Sequence, residues 1–400
     1  MVSTRILAVA GLVICAALIA GCFTPSPAKS MVTLVLAKGT GPMPTLLGTG
    51  QIDGYIAWQP FVEVAPLAGI GKVVVYSQDL PPAGRWVNHP CCVFTARDDV
   101  LAGNPDLVNA LAAVTILSTD YVNAHPDESA EIVADWLAGK GNFTYGNISV
   151  SSVKVLQQAI PTVRFTNEPT EKWMDGNLEF VYALRELGAI TGSLTNTTDD
   201  QTRALLFSTA PYYKARSMID NHSFVVPATA DKEMGIGYLN SDHDAALFVA
   251  VKKWQYFNNT YGIALVPRDT SASRPELADL VVNGKKVATF RLIPGDAGPQ
   301  LMQMIATDTA KFAYVGNPPT IAAVDKNTPV KIIMALNTEG SGLVVSNDSP
   351  ATNWTGFVQW AKDRSAQGRP IKIADPGKGS IQDIMIRYAL EESGLSFSEG

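Results

Sequence analysis

The chain predicts a two-lobed α/β protein, each lobe a mixed, mostly parallel sheet flanked by helices. From Val32 onward, apolar β-branched runs alternate with helical patterns, the mark of βαβ units whose helices cover the sheet faces. An internal repeat points to two lobes. Residues 41–75 and 298–334 each run from Gly-Pro (Gly41-Pro42, Gly298-Pro299) into a short helical stretch. A strand follows (Gly54-Tyr55-Ile56-Ala57, Phe312-Ala313-Tyr314-Val315), then a proline loop, another helix and a Lys-bearing apolar strand (Lys72-Val73-Val74, Lys331-Ile332-Ile333). A repeat at short fixed period would mean a solenoid; two distant copies mean two similar lobes. The third observation is the Ser/Thr/Asn/Asp-rich texture of 191–232, which reads as a connector between two compact regions.

The elements follow in order. Strands are expected at 32–37, 54–57, 72–76 and 93–95, and helices at 44–48 and 61–67. A long helix over 105–123 takes Asn104 as N-cap and Pro105 at its first position. Helices at 126–137, 153–160 and 171–187 complete this part, with Gly188 as the stop. The connector carries one helix, 201–208. Beyond it, strands are expected at 236–239, 287–292, 312–315, 330–335, 342–346 and 371–374. The matching helices are 245–256, 300–306, 319–324, 354–366 and 381–393.

The first 21 residues read as a secretory signal: Arg5 is the basic start and residues 6–19 an apolar stretch too short for a comfortable membrane span. It ends Leu18-Ile19-Ala20-Gly21-Cys22. That ending resembles a lipobox, which implies a lipid anchor on Cys22 and a tether over 22–30. An ordinary signal peptide with an incidental cysteine is the other reading. The formal charge of −6 and the lack of a basic tract make neither nucleic acid nor an anionic membrane surface an expected partner. Cys91 and Cys92 are the cysteines left in the folded part. They are expected on opposite faces of one strand, a vicinal disulfide being the alternative.

Further residues carry a resemblance. Gly237-Tyr238-Leu239-Asn240-Ser241-Asp242-His243-Asp244 with the helix after it is similar to the opening strand, loop and helix of nitrate/sulfonate/taurine-type substrate-binding proteins of ABC importers. Asp375-Pro376-Gly377-Lys378-Gly379-Ser380 resembles the start of their second lobe. Gly50-Gln51-Ile52-Asp53-Gly54-Tyr55-Ile56-Ala57-Trp58-Gln59-Pro60 resembles a later strand of that lobe, and His89-Pro90-Cys91-Cys92-Val93 the return to the first. The resemblance implies a type II periplasmic-binding-protein fold, but the halves stand in permuted order. Two readings follow: a circular permutant, or a fusion of two truncated binding proteins. Its lobes would be 90–190 with 233–345, and 31–82 with 350–395. Two crossings, near 342–349 and 76–90, would act as hinges.

The resemblance also implies a small anionic or zwitterionic solute held in the interlobe cleft, where helix N-termini favour negative charge. The implied partners are a membrane permease and its ATPase, with the protein itself a monomer. Candidate contacts are Thr40, Trp58, Gln59, Ser241, His243, Asp244, Gly295, Asp296, Gly316, Asn317, Glu339, Ser341, Lys378, Gly379 and Ser380. Ser380 is the strongest, as an N-cap hydroxyl beside Gly379. Asp242 and Asp244 would repel an anion, so they are expected to point outward and cap the helix. The loop at 377–380 lacks phosphate-loop spacing, which argues against nucleotide binding. No histidine stands at metal-ligand spacing and no nucleophile elbow occurs. No cofactor, no metal and no catalytic residue are therefore expected. A tethered sensor would use the same cleft and stays open as an alternative to import.

Overall fold

The computed structural model describes residues 30–400; the segment read as a signal, the tether up to residue 29 and Cys22 lie outside them. Two large sheets form among the described residues, beside two small two-stranded ones, and both large sheets draw strands from both ends of the chain. The larger has seven strands in the order Val330–Ala335, Cys92–Arg97, Phe312–Gly316, Met234–Leu239, Lys285–Gly295, Leu277–Val282, Ile263–Pro267. The smaller has six: Phe397–Glu399, Val32–Leu36, Ile371–Asp375, Gly54–Trp58, Ser341–Ser346, Gly71–Tyr76. Helices flank both, giving the two-lobed mixed α/β fold that the βα alternation predicts.

The internal repeat is visible in the pairing. In the larger sheet, Cys92–Arg97 lies antiparallel between Phe312–Gly316 and Val330–Ala335. In the smaller, Ser341–Ser346 lies antiparallel between Gly54–Trp58 and Gly71–Tyr76. Each inserted strand is the one that has just arrived from the other lobe. This moves one boundary. Residues 341–345, assigned from sequence to the larger lobe, pair within the smaller sheet, so the crossing sits at Gly340.

The larger lobe is built around Pro105–Ala124. Its Asn104 side chain accepts from the Leu107 N–H at 3.3 Å, and Pro105 opens the helix as expected. The helix is long and apolar enough to cross a membrane, yet it is a core helix, wedged between Ala245–Lys252 and Ala210–Asp220. At the centre, Phe94 stacks on Phe312 with ring centroids 5.8 Å apart, and the Tyr314 and Thr115 hydroxyls meet at 2.6 Å.

Residues 191–232 are not a free connector. They hold two helices, Asp199–Leu206 and Ala210–Asp220, and bury Leu194, Leu206, Tyr212, Ala215, Met218 and Phe224 in the larger lobe. The apolar spacing 212, 215, 218, 219 is a helix face hidden in a polar stretch. Asp325 anchors the entry, its carboxylate accepting from the N–H groups of Thr191, Gly192 and Leu194 at 2.9–3.0 Å. Glycine is required at 192, because a Cβ there would lie 2.1 Å from the Asp325 carbonyl oxygen. Two other expectations change. The helix expected over 245–256 breaks at Lys253 into Ala245–Lys252 and Trp254–Tyr261. The structure adds the hairpins Asn142–Tyr145/Ile148–Ser151 and Ile263–Pro267/Leu277–Val282 to the elements expected.

Candidate functional site

The two crossings between the lobes run side by side. Glu339 and Gly340 both take positive φ, +65° and +77°. The Glu339 N–H donates to the His89 carbonyl at 3.2 Å, and the Asn88 N–H donates to Glu339 Oε1 at 2.8 Å. Glu339 is thus a clasp between the crossings and not a cleft residue. Asn337 continues the clasp, donating from Nδ2 to the His243 carbonyl at 2.7 Å and accepting the Cys92 N–H at 3.2 Å.

Above the crossings, the lobes line a cavity of about 380 Å³, within the range of small-molecule sites. Of the candidate residues, Trp58, Ser241, His243, Gly316, Lys378, Gly379 and Ser380 line it. The smaller lobe adds Lys38 and the run Pro376–Gln382; the larger adds Ala297–Pro299, Pro318, Pro319, Leu184 and Leu239. The walls are mostly apolar, with polar groups at a few places.

The remaining candidates stand outside the cavity wall, each for a definite reason. Gln59 is buried, donating from Nε2 to Glu63 and Thr162. Asn317 spends its amide on Asn177 at 2.9 Å. Ser341 accepts from Gln382 Nε2 at 2.8 Å, behind the wall that Gln382 forms. Thr40 is buried, its carbonyl receiving the Met43 N–H that opens the next helix. Gly295 packs against Leu301, and the exposed Asp296 bonds only through its backbone, to Gln300.

The helix termini differ in what they offer. Ser380 caps Ile381–Glu392, its hydroxyl accepting from the Asp383 N–H at 3.1 Å. In return the Asp383 carboxylate accepts from the Gly379 N–H at 2.8 Å and pairs with Arg387 at 2.6 Å. The first-turn N–H groups of Ile381 and Gln382 have no intrahelical acceptor, and both residues line the cavity. The terminus at Gly298 likewise offers its N–H. The terminus at Asn317 does not: the Asn317 N–H is held by the Cys91 carbonyl at 2.9 Å, and Pro318 and Pro319 have none. Behind the Ser380 loop, burial and then the neighbouring Asp383 push the Asp375 carboxyl up to about 7.

The Ser241–Asp244 turn points inward. Asp242 and Asp244 are fully buried, where outward caps were expected. Asp244 Oδ2 accepts the Leu239 N–H at 2.6 Å, closing the turn at the strand's end. Burial raises both carboxyls, Asp242 to about 6 and Asp244 well above its ordinary value. The Ser241 hydroxyl donates across the lobes to the Gln59 carbonyl at 2.7 Å.

His243 faces Cys91 and Cys92 at the cavity floor. Its Nδ1 lies 3.2 Å from Cys91 Sγ and 3.6 Å from Cys92 Sγ, with the sulfurs 3.9 Å apart. The cysteines therefore share one side, and both are free thiols. They do so because the strand begins only at Cys92, so Cys91 escapes the strict alternation of a strand. Burial alone would lower the imidazole pKa, but the Cys91 sulfur and the carboxylate of Asp242 hold it up to about 9. Burial would raise Cys91, yet the Cys92 thiol and His243 draw it well below the ordinary thiol value. Among the described residues these three side chains form a group able to hold a metal ion. Sequence spacing gave no sign of it, since His243 is 151 residues from Cys92.

The chain is 31% identical over 122 residues to an uncharacterized protein of Methanocaldococcus jannaschii, a match covering 30% of this chain and 78% of that one. No solved structure matches it. The NMT1-like family, whose substrate-binding domains are of the nitrate/sulfonate/taurine type, matches residues 7–138 and 228–399. With its two lobes, its clasped crossings and the cavity between them, the chain belongs to the NMT1-like family.

Proposed function

We propose that this protein is an extracytoplasmic, lipid-anchored receptor that captures a small organic anion or zwitterion and delivers it to an ABC importer. The observation that carries the reading is the interlobe cavity, onto which the first turn behind Ser380 from one lobe and the Gly298 turn from the other present N–H donors. Such termini suit an anionic headgroup. A bare inorganic anion, about the size of a water molecule or two at ~30 Å³ each, would leave most of the cavity empty. The prolines and Trp58 fit an apolar body attached to the charged group, such as an organic sulfonate. Closure is a hinge motion at Gly340 and Asn88, and the closed form is what the permease would recognise.

We further propose that the chain is a circular permutant of the family order. Its last residues lie beside its first described ones: the Met31 N–H donates to the Ser396 carbonyl at 2.8 Å, and the Gly400 N–H to the Leu34 carbonyl at 2.9 Å. Such adjacency is what makes permutation tolerable. The interleaved pairing of Val32–Leu36, Gly54–Trp58 and Gly71–Tyr76 with strands from the C-terminal part of the chain speaks against two unrelated fragments placed end to end.

An enzymatic reading draws on the Cys91–His243 pair. It is disfavoured by the surroundings, because the helix terminus at Asn317, whose N–H is held by the Cys91 carbonyl, has no free N–H to stabilise an oxyanion and the Ser241 hydroxyl is committed to Gln59. The test is thermal melting of residues 30–400 with organic sulfonates, carboxylates and amino-sulfonates, against nitrate and sulfate. A ligand at one hundred times its Kd stabilises by about 2.7 kcal/mol. One cooperative transition raised by an organic anion supports the reading; indifference to the whole panel, or two separate transitions, refutes it.

A further inference from the structure

We infer that Cys91, Cys92 and His243 form a binding site for a thiophilic d¹⁰ cation, Zn²⁺ being the probe of choice, at the floor of the cleft. The distances carry this. For tetrahedral zinc with Zn–S about 2.3 Å and Zn–N about 2.05 Å, the ligand atoms must stand about 3.8 Å (S to S) and about 3.6 Å (S to N) apart. The observed edges are 3.9 Å for the sulfurs and 3.2 and 3.6 Å from sulfur to Nδ1. Three side chains thus outline one face of the required tetrahedron.

The surroundings fix the donors. His243 Nε2 lies 3.0 Å from the Gly340 carbonyl oxygen, which can only accept. Nε2 therefore keeps its proton, and Nδ1 is the nitrogen that can turn a lone pair to a metal once its own proton has left, the arrangement that orients ligating histidines elsewhere. Asn337 holds the backbone of both partners, through the His243 carbonyl and the Cys92 N–H. Two thiolates and a neutral imidazole cancel the charge of a divalent cation, which suits a buried place. The cluster carries two protons beyond its ligating form, whether they sit on both sulfurs or on one sulfur and the imidazole; both leave to solvent on binding, and no bond changes oxidation state. All three side chains line the cavity, so the fourth coordination position opens to it, as in sites that exchange a ligand. This site does not depend on the importer reading. A solute with a carboxylate, amine or thiolate would fill the fourth position.

The test uses the full chain, purified in mild detergent with a thiol-free reductant, stripped of metal and titrated with Zn²⁺, with Co²⁺ as a spectroscopic substitute. The expected result is one equivalent bound, with a sulfur-to-cobalt charge-transfer band and tetrahedral d–d bands. Zinc should also protect Cys91 and Cys92, identified by peptide mass mapping, from alkylation. Cys91→Ala with Cys92→Ala should weaken binding by about 100-fold or more. Zinc bound equally by that folded double variant, or Cys91 and Cys92 alkylated at the same rate with and without zinc, overturns the inference. The protection experiment needs no variant, so a double variant that fails to fold leaves the test intact.

Discussion

Gly340 is where the interlobe crossing, a positive φ and the histidine meet, so Gly340→Ala is the sharpest perturbation of this geometry. Its φ of +77° costs an alanine about 1–2 kcal/mol. A Cβ would also stand 2.6 Å from His243 Nε2 and 2.8 Å from Val163 Cγ2. Both contacts are too short, and both neighbours are buried. Pushing the imidazole aside gives up its bond to the Gly340 carbonyl, about 1 kcal/mol, and repacking an overfilled site costs about 1–3 kcal/mol more. The total is about 3–6 kcal/mol. Gly84 supplies the control: its φ is +79°, and nothing lies within 4 Å of a Cβ there. Gly84→Ala should therefore cost only the backbone term, and scanning calorimetry should place the two melting temperatures roughly 3–5 °C apart. The chain has four histidines, so the hydrogen-bonded Nε2–H of His243 can be followed by NMR in the same samples. Equal losses for both variants, with an unmoved His243 signal, would refute the assigned contact.

Asp375 gives a pH prediction. Its folded carboxyl titrates near 7 against an ordinary 3.8, so the native state holds a proton that the unfolded chain has lost, and stability falls as pH rises from about 4 to about 7. Asp375→Asn, which still accepts the Gly377 N–H, should flatten that slope by a few kcal/mol and melt above the parent at pH 8; an unchanged Tm-against-pH profile would contradict this. Ser380→Ala removes the cap on Asp383, lowering stability by about 1 kcal/mol and solute affinity by up to about tenfold; calorimetric titration decides, and undiminished affinity would remove Ser380 from the site. Asn337→Ala strands the His243 carbonyl and the Cys92 N–H in the interior and should cost about 2–4 kcal/mol by urea unfolding. A loss under 1 kcal/mol would mean that water replaces both bonds.

Local signals made most of the fold legible. Pro105 after Asn104, the β-branched strands and the Tyr-bearing repeat each state their structure within a dozen residues. Where sequence reading failed, the deciding interaction was distant. The helix Ala210–Asp220 looked polar because its burial depends on Pro105–Ala124, about a hundred residues earlier. Asp242 and Asp244 had the composition of outward caps, but the turn closes on the Leu239 N–H and carries both inward. Ser380 was readable as an N-cap because Gly-Ser before an apolar periodic run is a local signature. The Cys91–Cys92–His243 cluster was not, because neighbouring cysteines suggest opposite strand faces until the strand's true start, Cys92, is known.

The pairing also dictates an order of assembly. Val32–Leu36, Gly54–Trp58 and Gly71–Tyr76 make no sheet bonds with one another; their partners are Ile371–Asp375, Ser341–Ser346 and Phe397–Glu399. In the larger sheet, by contrast, Met234–Leu239 pairs with Lys285–Gly295 and Phe312–Gly316, and Leu277–Val282 with its sequence neighbours. Joining strands some 340 residues apart instead of about 40 takes roughly three doublings of loop length, or about 2 kcal/mol at about 0.6 kcal/mol per doubling. That is small against two buried cores, which is why such an order can persist. The kinetic consequence is larger, since long closures must precede any reward. Pulsed hydrogen exchange during refolding should protect 234–295 first and Gly54–Trp58 late, because that central strand has both neighbours in the C-terminal part of the chain. Early protection of Gly54–Trp58 would mean that the smaller lobe nucleates through its helices, and the pairing argument would then fail as a guide to folding.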